Sequence, residues 1–323
     1  MEKILVTGGA GYIGSHTCKL LAKSGFEPIV YDNLITGHKE FVKWGPFVEA
    51  DILDTNKLIE TFSHYKPTAV IHFAAYSNVG DSVLNPLKYY RNNVGGTLSL
   101  LEAMFHSKID ILVFSSTCAI YGLPDKKLLD ENCPQKPINP YGESKLMIET
   151  ILKNLSADNK LKFMALRYFN AAGADSEGEI GEWHDPETHL IPLAINSANK
   201  KEKLKVFGTN FNTPDGTAIR DYIHVEDLAK GHLMALNYLQ SGKASDLINI
   251  GTGKGSSVYE IIKKIKESGV DVNYVNTKRR KGDPAYLVAN ISKANKVLDW
   301  KPKYNNIEEI LKTAINWHLR DNS

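Results

Sequence analysis

Tyr141 and Lys145, in Tyr-Gly-Glu-Ser-Lys, stand four residues apart, the spacing that puts a phenol and an ammonium on one face of a helix. A phenol titrates near about 10, and a neighbouring ammonium favours its ionised form, so the pair can act as a base toward a hydroxyl group. The same spacing recurs at Tyr259–Lys263 and Tyr274–Lys278, and context separates the three. Only Tyr141 follows an apolar run ending in hydroxyls, Ile-Leu-Val-Phe-Ser115-Ser116-Thr117. That run reads as a strand delivering hydroxyl groups to the carboxyl edge of a sheet, where ligands of open α/β folds bind. Cys118 comes next, with no neighbour that would activate it as a nucleophile.

The opening residues supply a partner for such a base. Lys-Ile-Leu-Val-Thr is followed by Gly8-Gly9-Ala10-Gly11-Tyr12-Ile13-Gly14 and then by an amphipathic stretch. A strand, a glycine turn and a helix in that order form a dinucleotide site: the glycines allow close backbone approach, and the helix start offers N–H groups to a pyrophosphate. Gly8, Gly11, Tyr12, Ile13 and Gly14 are the expected contacts. Asp32 ends the next strand, Pro-Ile-Val-Tyr-Asp, at the distance where a carboxylate accepts hydrogen bonds from the adenosine ribose, with Asn33 beside it. The same carboxylate repels a 2′-phosphate, which favours NAD over NADP. Asp51 and Ile52 close the third strand and fall near the adenine, the start of a helix being the other use for that Asp.

The elements that must hold these residues follow from hydrophobic rhythm. Short apolar runs near 3–7, 27–31, 46–50, 68–73, 111–115 and 161–168 alternate with helical stretches near 12–24, 54–65, 86–106 and 141–155. The pattern predicts a Rossmann-type, doubly wound parallel sheet over residues 1–170. From 171 to 323 a smaller, discontinuous substrate-binding domain is expected. A returning segment near 217–253 should carry the strand Leu247–Ile250 back to the first sheet.

Together these motifs carry a resemblance over essentially the whole chain. Thr-Gly-Gly-Ala-Gly-Tyr-Ile-Gly-Ser-His, Asp32-Asn-Leu, Val-Ile-His-Phe-Ala-Ala, Asn92-Asn-Val, Phe-Ser-Ser-Thr117, Tyr141-x-x-x-Lys145, Leu-Arg-Tyr-Phe-Asn170, Arg220-Asp-Tyr-Ile-His-Val and Arg280-Lys-Gly-Asp283 are similar to the UDP-glucose 4-epimerase family of extended short-chain dehydrogenases/reductases. The resemblance implies an NAD-dependent isomerase that oxidises a UDP-hexose at C4, lets the ketose turn over and returns the hydride to its other face. It implies Tyr141 as base, Lys145 as the group that tunes it and holds the nicotinamide ribose, and Thr117 as a hydrogen-bond partner of the reacting hydroxyl. Phe73, Ala74, Ala75, Asn92 and Phe169 would line the NAD site. Asn170, Leu190, Phe207, Arg220, Arg280 and Asp283 would meet the uridine and diphosphate, and Tyr286 would narrow the sugar pocket against N-acetyl groups. The chain departs from the family's habit in Thr117, where Ser is usual, and in Ser77, where Lys is frequent. Related 4,6-dehydratases place an acidic pair where this chain has Cys118 and Ala119, so the residues for that chemistry are missing. Other UDP-sugars and a non-catalytic NAD sensor are the remaining alternatives.

Composition limits what else the chain does. Its 323 residues are 42% hydrophobic and 24% charged, with a formal net charge of +2, too balanced to draw nucleic acid or membrane by charge alone. The basic run Lys278–Lys281 lacks the interleaved aromatics of a nucleic-acid patch and is expected to be a loop. The only cysteines are Cys18, Cys118 and Cys133, without a C-x-x-C pair, which fits a reducing cytoplasm. No apolar run reaches the roughly 18 residues of a membrane span. His184, Asp185, Glu187 and His189, in Trp-His-Asp-Pro-Glu-Thr-His, read as a polar loop near the substrate, because Pro186 interrupts any helix and no second ligand group is evident; no metal is expected. His16, Cys18 and His72 are expected to be structural. A homodimer is expected through the helices near 86–106 and 141–155.

Overall fold

Runs of β-branched and apolar residues bounded by Gly, Pro and Lys become the strands of a seven-stranded sheet: β1 (Glu2–Thr7), β2 (Phe26–Asp32), β3 (Phe47–Glu49), β4 (Ala69–His72), β5 (Ile111–Thr117), β6 (Lys162–Tyr168) and, far along the chain, β10 (Asp246–Ile250). Their spatial order is β10-β6-β5-β4-β1-β2-β3, the order of a doubly wound sheet whose direction of winding reverses beside β1. The pairs β1–β2, β1–β4, β2–β3 and β4–β5 run parallel. Strands this deeply covered read as unbroken apolar runs rather than alternating ones, and Ile4, Leu5, Val6, Ile29, Val30, Ile71 and Val113 are all buried.

The computed structural model describes residues 1–320, which divide into two compact units. Met1–Tyr121, Gln135–Arg167 and Ala229–Ile248 form the first. Gly122–Pro134, Tyr168–Leu228 and Asn249 onward form the second. The expected boundary at 170 thus lies just beyond the point where β6 leaves the first unit. The returning segment expected over 217–253 is shared, with 229–248 in the first unit and its two ends in the second.

Helices α1 (Tyr12–Lys23), α2 (Thr55–Tyr65), α3 (Val79–Leu84), α4 (Pro86–Tyr89), α5 (Gly96–His106) and α6 (Pro140–Ala157) belong to the first unit. The single helix expected over 86–106 is interrupted by a π-helical turn, Tyr90–Gly95, between α4 and α5. That wider turn carries Asn93 inward. Its Oδ1 accepts the Tyr76 N–H at 2.9 Å, and its Nδ2 donates to the Tyr76 carbonyl and to Ser144 Oγ on α6, both at 3.0 Å. A regular helix has no reason to spend a residue this way, and π turns of this kind recur at functional sites.

In the second unit β7 (Asn170–Ala172), β9 (Ile219–His224), β11 (Gly255–Ser257) and β13 (Tyr286–Leu287) form a four-stranded sheet, and β8 (Leu204–Phe207) pairs with β12 (Tyr274–Thr277). Around them lie α7 (Leu190–Asn199), α9 (Val258–Glu267), α10 (Ser292–Leu298) and α11 (Ile307–Leu319), while α8 (Val225–Gln240) begins in this unit and continues into the first. Ile191, Ile195, Ile261, Ile265, Leu311 and Ile315 fill the core. Loops are tied to it by a buried acid: Asp221 accepts hydrogen bonds from the Thr252 N–H and hydroxyl, the Gly253 N–H and the Ala289 N–H. Among the described residues no helix is long and apolar enough to cross a membrane.

His72, expected to be structural, bridges two elements of the first unit. Thr7 Oγ1 lies 2.6 Å from Nδ1 and Thr97 Oγ1 lies 2.9 Å from Nε2, and the Thr97 hydroxyl donates in turn to the Asn93 carbonyl. Because Thr97 uses its own proton there, Nε2 carries the ring proton and Nδ1 accepts. Burial, with the Lys145 charge nearby, holds this imidazole down at about 3. The unfolded ring titrates near about 6.5, so below that pH the unfolded chain binds a proton that the native chain refuses. Stability is therefore fully present above about pH 6.5 and falls as the pH drops toward 3, by up to about 1.4 kcal/mol per pH unit from this group. Urea unfolding at several pH values below neutrality should show that slope, and His72→Asn should flatten it. An unchanged slope in the variant would assign the protons to other groups.

Candidate active site

The glycine turn is built by close contacts that any side chain would obstruct. A Cβ on Gly14 would stand 2.1 Å from the Gly8 carbonyl oxygen, and one on Gly8 would stand 2.6 Å from the Ala74 nitrogen and 2.9 Å from the Phe73 carbonyl carbon. Gly8 also has φ +71°, in the region that L side chains avoid. Gly11 is the N-cap of α1 and provides no side-chain hydrogen bond, so the start of the helix, Tyr12, Ile13 and Gly14, presents its backbone without a built-in anion. A helix start bare of any capping carboxylate or hydroxyl, in a cradle that a Cβ would fill, fits the pyrophosphate of a dinucleotide.

Asp32 is joined to that turn. Its Oδ2 accepts the Ala10 N–H at 3.0 Å and its Oδ1 accepts the Leu34 N–H at 2.9 Å. Burial lifts its carboxyl above the usual carboxylate range, opposed by hydrogen bonds from the Leu34, Ala10 and Asn33 backbone. The acid is thus a clamp on the glycine turn as well as a candidate ribose acceptor. Asn33 donates from Nδ2 to Asp51 Oδ2 at 3.1 Å, and the Leu53 N–H binds Asp51 Oδ1 at 2.8 Å. Asp51 is therefore not the helix cap; Asp54 caps α2 by accepting the Lys57 N–H. Ile52 is buried and faces Gly96, where a Cβ would stand 2.5 Å from its Cγ2. Phe73 and Ala74 follow β4, their N–H groups bonded to the Thr7 carbonyl at 2.9 and 3.2 Å, with Ala75 next in the chain. Asn92 donates to Asn93 Oδ1 at 3.0 Å, so the residue expected to serve the cofactor is oriented by the neighbour that the sequence reading passed over.

Thr117, Tyr141 and Lys145 are gathered by β5 and α6. Asn139 caps α6 by accepting the Gly142 N–H, and Pro140 opens it, which fixes Tyr141 in the first turn. Ser144 accepts from Asn93 and donates to the Tyr141 carbonyl at 2.7 Å. Lys145 is buried and donates from Nζ to the Ser115 carbonyl at 2.7 Å. Burial pulls its ammonium down to about 7, opposed by the charge of Glu149 one turn further on. Thr117 Oγ1 accepts the Ala119 N–H at 3.1 Å. Tyr141, Lys145 and Glu149 thus share one helix face. Glu149 in turn holds Ser116 at 2.6 Å and Arg167 at 2.6 and 2.9 Å, and Arg167 donates to the Tyr121 hydroxyl at 3.1 Å. Glu149 and Arg167 carry no signal in local spacing, because the pair joins α6 to β6. The two rival Tyr–Lys spacings have other roles: Tyr259 donates to Asn276 Oδ1 at 2.9 Å, and Tyr274 lies on the strand β12, where positions four apart do not form a helix face.

The residues expected to meet a nucleotide fall in the second unit. Asn170 lies in β7 opposite Tyr222 of β9, Phe169 is buried beside it, and Leu190 opens α7. Arg220 donates to the Ile219 and Pro284 carbonyls, each at 2.9 Å, and its Nη2 lies 3.6 Å from Asp283. The Arg280 guanidinium lies 3.8 Å from the centre of the Phe207 ring, and Arg279 lies 4.0 Å from that of Phe211. The basic run therefore does find aromatic partners, from a distant segment of the chain. Tyr286 lies on β13 with the Lys127 ammonium 5.1 Å from its ring centre.

In the loop before α7 the structure differs from the polar tract read in the sequence. His184, Glu187 and His189 are joined by Glu182, while Asp185 is not part of the group. Burial alone would lower the His184 imidazole, but the carboxylates of Glu182 and Glu187 outweigh it and raise it to about 9.

The model of the NAD dependent epimerase/dehydratase family matches residues 4–251. The chain is 53% identical to a UDP-glucose 4-epimerase of Rhizobium meliloti over 99% of its length and 98% of that protein's. Its fold matches the crystal structure of a UDP-glucose 4-epimerase from Brucella ovis in complex with NAD, with a TM-score of 0.95 and 49% identity over 98% of this chain and 99% of that one. A UDP-glucose 4-epimerase from Bifidobacterium longum in complex with NAD+ and UDP gives a TM-score of 0.93 and 36% identity, with 99% of each chain covered. With a family model over residues 4–251 and relatives matched over nearly the whole of both chains, the chain belongs to the NAD dependent epimerase/dehydratase family.

Proposed function

We propose that this protein is an NAD-dependent isomerase that interconverts UDP-glucose and UDP-galactose by inverting C4. The observation that carries the reading is the buried Lys145, donating to the Ser115 carbonyl at 2.7 Å from the same helix face as Tyr141, beside the strand that ends in Thr117. Bound NAD supplies the acceptor for the C4 hydride and the source from which it returns. Gly8, Gly11, Tyr12, Ile13 and Gly14 take the pyrophosphate, and Asp32 and Asn33 the adenosine ribose. Asp51 and Ile52 take the adenine side, and Phe73, Ala74, Ala75, Asn92 and Phe169 line the rest.

Tyr141 Oη takes the proton of the sugar 4-hydroxyl, Thr117 holds that oxygen, and Lys145 favours the phenolate while holding the nicotinamide ribose. The sugar is then a 4-ketose, and it must turn its other face before Tyr141 returns the proton. Tight contacts on the unreactive nucleotide and few directional contacts on the hexose permit that turn. Asn170, Leu190, Phe207, Arg220, Arg280 and Asp283 supply the nucleotide contacts. Arg220, braced by the Ile219 and Pro284 carbonyls and near Asp283, brings a guanidinium charge to the diphosphate. Tyr286 supplies bulk near the sugar.

The reading extends to a cytoplasmic homodimer. Three buried cysteines, none in a disulfide, suit a reducing compartment. Leu98 and Phe105 on α5 and Met147 on α6 are exposed at 43%, 38% and 41%, apolar area that a second copy would cover.

Purified protein should convert UDP-glucose to UDP-galactose with no added cofactor and release NAD on denaturation. Tyr141→Phe should keep the NAD and bind UDP yet lose turnover by a factor of at least about 100, the scale of a removed acid–base group; substantial residual turnover removes Tyr141 from the role. The N-acetylated pair should react more slowly than the hexose pair, and Tyr286→Ala should narrow the difference, whereas equal rates in the unaltered protein refute the role given to Tyr286. Light scattering at micromolar concentration should give twice the chain mass, and Leu98→Asp with Met147→Asp should halve it. A monomer in the unaltered protein overturns the dimer.

A further inference from the structure

The loop between the second unit's sheet and α7 gathers donors from four residues within eight positions of sequence. A ring nitrogen from each of His184 and His189 and a carboxylate oxygen from each of Glu182 and Glu187 all lie within 4.8 Å of one another. His184 Nδ1 stands 3.4 Å from Glu182 Oε1 and 3.6 Å from Glu187 Oε2, and His189 Nδ1 stands 3.5 Å from Glu187 Oε1. Ligands placed about 2.0–2.1 Å from a tetrahedral ion are separated by about 3.3–3.4 Å, close to these three separations, with Glu187 offering Oε2 to His184 and Oε1 to His189. A fourth separation, His189 Nδ1 to Glu182 Oε1, is 2.6 Å, the length of a shared proton, and opens when an ion takes the proton's place.

The two glutamates are each held in place by further hydrogen bonds. Glu187 Oε1 accepts the Thr188 and His189 N–H groups at 2.7 and 2.8 Å, which fixes that carboxylate and turns Oε2 toward His184. Glu182 is buried, and its backbone carbonyl accepts the Trp317 indole N–H of α11 at 3.0 Å. Gly181 lies against the same indole, where a Cβ would stand 2.3 Å from the ring, so the segment cannot shift along α11. Orientation of metal ligands by such outer hydrogen bonds is the usual device of a built site.

We propose that Glu182, His184, Glu187 and His189 form a structural Zn2+ site. Zn2+ displaces the protons that the carboxylates hold on the imidazoles; two carboxylates and two neutral imidazoles then give the set a charge of −2, which the ion cancels, and imidazole with carboxylate in four-fold coordination suits zinc better than magnesium or calcium, which prefer all-oxygen shells. The site uses every donor of the set on protein, with none assigned to the reaction, and its place is to lock the loop that leads into α7.

Tag-free protein, stripped with chelator and dialysed, is titrated with Zn2+ against a chromogenic chelator, and with Co2+ while the visible spectrum is recorded. The expected result is one ion per chain with submicromolar affinity, a tetrahedral Co2+ spectrum, and a rise in Tm on adding Zn2+. His184→Gln and Glu182→Gln, folded by circular dichroism, should each weaken binding at least tenfold, the loss that follows removal of a ligand. Absence of stoichiometric binding by the unaltered protein overturns the proposal and leaves the cluster an ion-paired knot. Binding that survives in both variants overturns it as well, by placing the ion elsewhere. If a variant does not fold, the stoichiometry and the Co2+ spectrum of the unaltered protein decide the matter.

Discussion

Everything in the first unit depends on how closely one stretch of backbone approaches another at the glycine turn. With 2.1 Å between the Gly8 carbonyl and a Cβ on Gly14, and 2.6 Å between a Cβ on Gly8 and the Ala74 nitrogen, no side chain can be inserted without moving β1, α1 or the end of β4. That closeness starts α1 directly at the sheet edge and turns its first peptide groups toward the place where winding reverses. Asp32 ties the turn to β2 through Ala10. A negative charge there is costly to bury, and backbone N–H groups, those of Ala10 and Leu34 among them, offset that cost.

A second set of constraints fixes α6 against the sheet. Asn93, Ser144 and the Tyr141 carbonyl form one chain of hydrogen bonds, and Lys145 with the Ser115 carbonyl forms another. Beneath them Glu149 and Arg167, both essentially inaccessible, neutralise each other and hold Ser116. A buried ion pair contributes little net stability over apolar residues of equal size, but removal of either partner leaves an uncompensated charge. Its value here is geometric: it pins the helix face that carries the phenol and the ammonium to the strand that carries Thr117.

The second unit uses the same device for its loops. Asp221 collects three N–H groups and a hydroxyl, and Asp227 accepts the Lys303 and Tyr304 N–H groups at 2.8 Å each. Such loops have few ladder hydrogen bonds, so buried carboxylates satisfy backbone donors that would otherwise lack water. The acid-rich loop before α7 belongs to the same scheme, with imidazoles added to backbone N–H groups.

Sequence alone determined the alternation of strands and helices in the first half, the glycine turn, Asp32 and the Tyr141–Lys145 face, because each rests on sterics or local periodicity. It also separated Tyr141 from its two rivals through the strand before it. Only the tertiary structure decided the π turn at Asn93, the Glu149–Arg167 pair, the stacking of Arg280 on Phe207 and the entry of Glu182 among the histidines. It also decided where each stretch of chain passes between the two units. Those features join residues that the chain alone does not make neighbours, or that become neighbours only once a loop is folded against α11. No local pattern encodes a pairing whose geometry is set by packing elsewhere.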